Sequence, residues 1–395
     1  MLTTNTDRFA ISLTPSDEEI QIRDAVRRIT ESFGPEYMRK CQAAEQAPTE
    51  LWATLADAGF IGINLPSQYG GGDMGLTGLQ IVAEETAAAG ALMVMLVMSS
   101  GIAGPILAKH GTPEQKELWL TAMAAGTKKM SFAITEPDAG SNSHDLRSEL
   151  TPDGEGGYFL RGQKTFISGV DDADAVLVVA RPRTSDGTLG RPCLCIIDVH
   201  SAGFTKTHIP MPAFSPDRQW TLYFDDVRVP ADCLIGGTEG GLAAVFDGLN
   251  PERVLIAAFA NGIGRRALTK ATTYATERQV WNAPIGSHQA VAHPLARAKI
   301  ELELARLMTQ KAARLVDAGH TDSGEASNMA KFAAAEAAIH CVDATIQTHG
   351  GNGFALEYGI SDMYWPARLF RTAPVSAEMI LNYIAQHSLG LPRSY

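Results

Sequence analysis

Phe132-Ala133-Ile134-Thr135-Glu136-Pro137-Asp138-Ala139-Gly140-Ser141 divides this chain into two kinds of sequence. Before it, apolar residues recur at helical spacing. After it come short apolar or alternating runs separated by Gly, Pro and Asp. The stretch itself starts apolar and ends in Gly and Ser, as a strand running into a loop would. Such a loop offers backbone N–H groups and short hydroxyls that a ligand can approach closely; alone, it is equally a plain turn.

Working back, Thr14-Pro15-Ser16-Asp17-Glu18-Glu19 carries a helix start: a capping hydroxyl, Pro in the first turn and acids facing the dipole. Ile22, Val26 and Ile29 follow at helical spacing. Leu65 to Gly72 is a loop, and its three glycines lack the capped helix a phosphate cradle needs. Thr112-Pro113-Glu114-Gln115 predicts a capping box. The apolar run from Ala87 to Val97 is too short to span a bilayer and predicts a core helix.

Working forward, Tyr158 to Gly162, Ala175 to Ala180, Cys193 to Val199 and Trp220 to Phe224 predict strands of a small antiparallel barrel or sandwich. It closes near Val229-Pro230. Helices are predicted from Ala243 to Ala275, Ser287 to Ala318 and Ser323 to His349, the last rich in alanines that allow close packing. The fold class is therefore α+β: an N-terminal helical domain (1–127), a middle antiparallel β-barrel domain (128–237) and a C-terminal four-helix bundle (238–395).

Across 395 residues, 45% are hydrophobic and 19% charged, enough for a large interior. A net charge of -11 argues against a nucleic-acid binder, though a few local cations can still grip an anionic ligand. Five scattered cysteines fit a reducing cytoplasm better than a disulfide framework. Cys193 and Cys195 suit a buried strand better than a metal site, and no metal is expected. No secretory signal or membrane span is visible, so a cytoplasmic location is expected. No Gly-x-Gly-x-x-Gly follows a strand, which removes the commonest dinucleotide fingerprint.

Two further segments complete a pattern: Lys164-Thr165-Phe166-Ile167-Ser168-Gly169, where an aromatic precedes a hydroxyl by two residues, and Gln347-Thr348-His349-Gly350-Gly351-Asn352-Gly353-Phe354. With Leu65-Pro66, Tyr69-Gly70-Gly71, Gly111 to Lys116 and Leu222 to Pro230, these resemble the acyl-CoA dehydrogenase family over nearly the whole chain.

The resemblance implies bound FAD, an acyl-CoA substrate, an electron-transferring flavoprotein as acceptor, and a homotetramer or homodimer. It places Ile134 and Thr135 at the flavin edge with Phe132 also binding the cofactor, Phe166 over one ring face and Ser168 near the ring edge. Ser141 falls at the acyl-CoA entrance, close to the cofactor. Arg278, Trp281 and Gln289 would face the FAD of a neighbouring subunit. Gln347, Gly350 and Gly351 would form its adenine-side loop. By itself Arg278 is a solvated helix end. Asn142, Gly169 and Trp281-Asn282 stand where the family usually has Asp, Asn and Phe-Gly, and none of these exchanges removes a reacting group.

The implied chemistry takes an α-proton to a base and a β-hydride to flavin N5, giving a trans-2-enoyl-CoA. Most of the family holds that base as a Glu after the second signature. Here the position is Pro374, which can neither take a proton nor donate a backbone N–H to the thioester oxygen. Either Val375 N–H or the ribityl hydroxyl then carries that contact, or the enzyme is slowed.

Asn250-Pro251-Glu252-Arg253 resembles the isovaleryl- and long-chain-type members, whose base precedes an Arg on a helix. Glu252 is thus the expected base, with Arg253 on the substrate side, and burial would raise its pKa. Taken alone, Glu252 is a first-turn acid after an Asn250 cap, or an ion-pair partner of Arg253. The same fold also serves flavoprotein oxidases and enoyl-CoA reductases, and Pro374 leaves room for a non-catalytic subunit that completes a partner's FAD site. Small residues at 87–90 with Met93, Met95 and Met98 suit an acyl pocket or simple core packing.

Overall fold

A computed structural model describes residues 11–184, 186–212, 216–238 and 241–393. The chain forms two compact units. One is helical and gathers the residues up to Met38, Leu76–Leu92 and the chain from Arg253 onward. The other gathers Arg39–Gly75 and Met93–Glu252, and it holds the strands from Met130 to Ile235.

Helix α1 (Asp17–Ala43), which belongs to the helical unit as far as Met38, begins one residue after its cap. Ser16 Oγ accepts from Glu19 N–H, and Glu19 returns a bond to Ser16 N–H, both 3.2 Å. Pro15 therefore precedes the helix rather than sitting in its first turn. The helix is kinked at Gly34 (φ 66°), just before Pro35.

The apolar run from Ala87 does not make one helix. Helix α3 (Gly75–Ala88) stops because Gly90 adopts φ 82° and Ala91 N–H reaches back to Thr86 C=O at 2.9 Å, a Schellman ending. Buried Glu84 and Glu85 of α3 meet three arginines. Arg306 Nε donates to Glu84 at 2.8 Å and Arg265 at 3.0 Å, while Arg23 pairs with Glu85. Burial alone would raise the Glu84 carboxyl; Arg23, Arg306 and Arg265 outweigh it and hold it below its ordinary range.

Helices α7 (Gln289–Asp317) and α8 (Ser323–His349) pack closely because small residues line their contact. Gly264, on the long helix before them, packs as tightly on α7: a Cβ there would lie 2.9 Å from Leu302 Cδ1.

In the second unit, beyond α2 (Thr49–Asp57), α5 (Pro113–Ala124) carries the expected capping box, with Thr112 Oγ1 accepting from Gln115 N–H at 3.2 Å. A buried π-helical segment, Leu96–Ala103, precedes α4 (Gly104–His110).

Eight strands form one sheet: β1 (Met130–Ala133), β2 (Glu149–Pro152), β3 (Tyr158–Ser168), β4 (Ala175–Pro182), β5 (Cys193–Asp198), β6 (Phe204–Ile209), β7 (Gln219–Val229) and β8 (Leu234–Ile235). Seven run in the order β6-β7-β3-β2-β4-β5-β8, and β1 joins at β4. Most pairings are antiparallel, but β1 and β2 both run parallel to β4. Their connections to β4 are long enough to cross over rather than turn back as hairpins. Cys193 and Cys195 are fully buried on β5 within this core, and burial pushes the Cys193 thiol up to about 12. They are packing residues.

Helix α6 (Gly241–Glu277) is continuous through Asn250-Pro251-Glu252. Glu252 is therefore not a first-turn acid: it lies about three turns into the helix, one residue after an internal proline.

Candidate active site

Strand β3 shows how the sequence aims its side chains. Leu160 and Lys164 face inward on the two-residue period, and Phe166 would follow them into the core. The register with β7 shifts between Lys164 and Ile167. This bulge puts Phe166 at φ 57° and returns Ile167, rather than Phe166, to the interior. The Phe166 ring is left 58% exposed. A bulky residue in the left-handed region costs roughly 1 kcal/mol or more, and such strain concentrates at functional positions.

The end of β1 lies beside this bulge. Thr165 N–H donates to Thr135 C=O at 2.9 Å, and Ser131 Oγ donates to Ser168 C=O at 2.9 Å. Ser168 Oγ in turn accepts from Gln219 Nε2 at 2.8 Å. Thus Ile134 and Thr135, just past β1, are brought beside Phe166 and Ser168 at the end of β3, some thirty positions on in sequence. An open aromatic face next to a hydroxyl and a loop backbone suits a planar heteroaromatic ligand. Phe132 is buried on β1 opposite Leu177 of β4. Ser141 is exposed just beyond the tight turn closed by Glu136 and Ala139.

Lys164 and Glu136 were not singled out by sequence reasoning. Lys164 is fully buried, and its Nζ donates to Glu136 Oε1 at 2.7 Å and to Ile134 C=O at 3.0 Å. The Glu136 carboxylate also accepts from Arg147 N–H at 2.7 Å and Ser148 N–H at 2.9 Å. Burial opposes the charge on Glu136, but Lys164 and these donors hold its carboxyl below the ordinary range. Burial pushes the Lys164 ammonium down to about 8, against the pull of Glu136. The available signal was the β period, which places Lys164 on the core face and so demands a buried partner.

Glu252 belongs to the same unit and is only 9% exposed. Arg253, the next residue, opens the helical unit's share of α6.

The remaining expected cofactor residues cluster at one end of the helical unit. A ribbon of β9 (Gln279–Val280) and β10 (Ala283–Pro284) turns through Trp281 (φ 49°) and Asn282 (φ 60°). Positive φ at both turn residues marks a type I′ turn, which Asn tolerates and Trp does not favour. Trp281 is 86% exposed. Arg278 N–H bonds to Tyr274 C=O at 2.8 Å, and the Tyr274 hydroxyl accepts from Asn352 Nδ2 at 3.1 Å. Tyr274 so ties the ribbon to the loop carrying Gly350 and Gly351. Arg278, Gln289, Gln347, Gly350 and Gly351 are all exposed. In the same unit, Pro374 follows α9 (Ser361–Leu369); Lys331 Nζ donates to Val375 C=O, and Ser376 caps α10 (Ala377–Tyr383).

On this α+β fold, the ends of β1 and β3 present an exposed aromatic beside a hydroxyl and a loop backbone, the makings of a ligand-binding site. Three family models then cover the chain: acyl-CoA dehydrogenase N-terminal domain over residues 16–127, middle domain over 131–227 and C-terminal domain over 239–389. The chain belongs to the acyl-CoA dehydrogenase family, oxidoreductases acting on CH–CH donors.

Acyl-CoA dehydrogenase FadE12 of Mycobacterium tuberculosis is 49% identical over 385 residues, covering 97% of this chain and 99% of the relative. Among solved structures, a glutaryl-coenzyme A dehydrogenase in complex with glutaryl-CoA superposes with TM-score 0.91 at 28% identity, covering 97% of this chain and 98% of the other. A glutaryl-CoA dehydrogenase from Mycobacterium smegmatis in complex with FADH2 gives TM-score 0.88 at 25% identity, covering 99% and 98%. Among the described residues, no helix is long and apolar enough to cross a membrane.

Proposed function

We propose that this protein is an FAD-dependent acyl-CoA dehydrogenase in which Glu252 removes the α-proton of an acyl-CoA thioester. The cofactor is FAD, which when bound supplies the two-electron acceptor. Phe166, Ser168 and the Ile134–Thr135 backbone hold its ring end. Arg278, Trp281, Gln289, Gln347, Gly350 and Gly351 serve the FAD of a second copy of the chain, in a homodimer or homotetramer. An electron-transferring flavoprotein takes the electrons onward. Ser141 and Arg253 contact the substrate.

The observation that carries this reading is the carboxylate at 252. It is a mostly buried acid within a helix, which supports an internal role over a solvated one. Pro374 meanwhile leaves no base at the position most of the family uses.

Anaerobic addition of an acyl-CoA panel, varied in length and branching, to the FAD-loaded protein tests it. At least one member should bleach the flavin's visible band. Glu252→Gln should keep FAD and slow bleaching by about a hundredfold or more. Bleaching at the wild-type rate would move the base elsewhere. Rapid reoxidation by oxygen would favour an oxidase, and turnover only toward the saturated thioester a reductase. A purified chain without FAD would favour the non-catalytic subunit.

A further inference from the structure

We propose that Lys164 and Glu136 are positioning residues that set the flavin-edge backbone at Ile134–Thr135 against the Phe166 bulge. The inference rests on the FAD reading above and goes beyond it by naming what holds the site in shape. Three observations carry it.

The first is connectivity. Lys164 lies on β3, two residues before Phe166, and Glu136 follows Thr135 directly. The Lys164 Nζ bonds both Glu136 Oε1 (2.7 Å) and Ile134 C=O (3.0 Å). With Thr165 N–H on Thr135 C=O (2.9 Å), the loop is pinned at three successive residues, 134, 135 and 136.

The second is burial. Lys164 is fully buried and Glu136 nearly so. A buried pair of opposite charge is weak evidence for stability, because an apolar pair of the same volume often serves as well. Its better-attested use is to select one arrangement over others. Here the alternative to be excluded is a slipped β3 register, which would swing Phe166 into the core.

The third is satisfaction. The Glu136 carboxylate collects Lys164 together with the N–H groups of Arg147 and Ser148, so the far end of the loop is tied to the same point. Ile134–Thr135 and the chain reaching Ser148 therefore move with Lys164 or not at all. Neither side chain needs to touch the cofactor; both act through the backbone that does.

The test uses the full chain with and without FAD. Lys164→Met with Glu136→Gln removes both charges together, so no lone buried charge is left to unfold the protein. Glu136→Gln alone keeps one acceptor oxygen but leaves buried Lys164 without its counter-charge, and serves as the harsher second variant. In the FAD-free proteins, amide hydrogen exchange at Glu136, Ala139 and Thr165 should speed up at least about tenfold in the double variant. The FAD dissociation constant should rise by a similar factor, and by at least as much in Glu136→Gln. The visible band of any FAD still bound should lose its vibrational structure in the same order.

Unchanged exchange in both variants overturns the proposal, whatever FAD does. Faster exchange with wild-type FAD affinity and spectrum overturns it too, leaving the pair as a strut of the sheet. A wild-type chain that binds no FAD sinks the underlying reading instead, and the wild-type control separates that case.

Discussion

Tyr274 lies flat against His349, ring centroids 4.2 Å apart and planes 24° from parallel, while its hydroxyl accepts from Asn352. One aromatic thus supports both the Trp281 ribbon and the Gly350–Gly351 loop. Tyr274→Phe, which keeps the stack and loses the hydrogen bond, should cost about 1 kcal/mol. Tyr274→Ala should cost about 3 kcal/mol and lower the FAD content of the purified protein, because both elements lose their shared support. Thermal unfolding and flavin-to-protein absorbance ratios report the two effects. Equal FAD content in Tyr274→Ala and wild type would detach this cluster from the cofactor.

The bulge at Phe166 separates stability from binding. Phe166→Gly relieves a left-handed φ of 57° and exposes no core, since the ring already faces out. Stability of the FAD-free chain should stay within about 1 kcal/mol of wild type. FAD affinity should fall at least about tenfold through loss of the stacking face. A large loss of stability without FAD would mean that the ring has a packing role.

The Glu84 network should behave as a stability element alone. Glu84→Ala leaves Arg306 and Arg265 facing a buried void and should destabilise the chain by about 3–5 kcal/mol. The spectrum of any bound flavin should not move. Denaturant unfolding measures the first, and the flavin band the second.

Acid should unfold the protein in two stages. Burial holds the His349 imidazole below its ordinary 6.5, so as pH falls through that value the unfolded chain binds the proton first and stability drops. Glu136 and Glu84 are held below their ordinary 4.5, so their stabilisation is complete above that pH and lost as pH falls through their lower native values. Glu136→Gln should flatten the melting-temperature profile below about pH 4.5 and leave the upper stage unchanged. A profile identical to wild type would deny Glu136 its share.

The large elements were legible in the sequence because they follow local rules. The third long helix runs from Ser323 to His349, and the capping box at Thr112 forms, since both depend on residues a few positions apart. What escaped was set by long-range partners or single backbone angles. The helix expected from Ala87 breaks at Gly90, where a positive φ overrides an apolar pattern. The parallel pairing of β1 and β2 with β4 leaves no local trace. At the site, the motif residues 134, 135, 166 and 168 could be listed, yet their juxtaposition depends on a bulge and on a buried Lys–Glu pair that pattern alone does not reveal.

Because the outward aim of residue 166 comes from the main chain, it does not depend on which side chain stands there. The position behaves as a socket. A tryptophan or tyrosine placed in it inherits the same exit direction, whereas a β-branched residue would resist the left-handed backbone. That makes it a natural seat for a fluorescent reporter whose quenching counts occupied sites, with the sheet behind it left as it is.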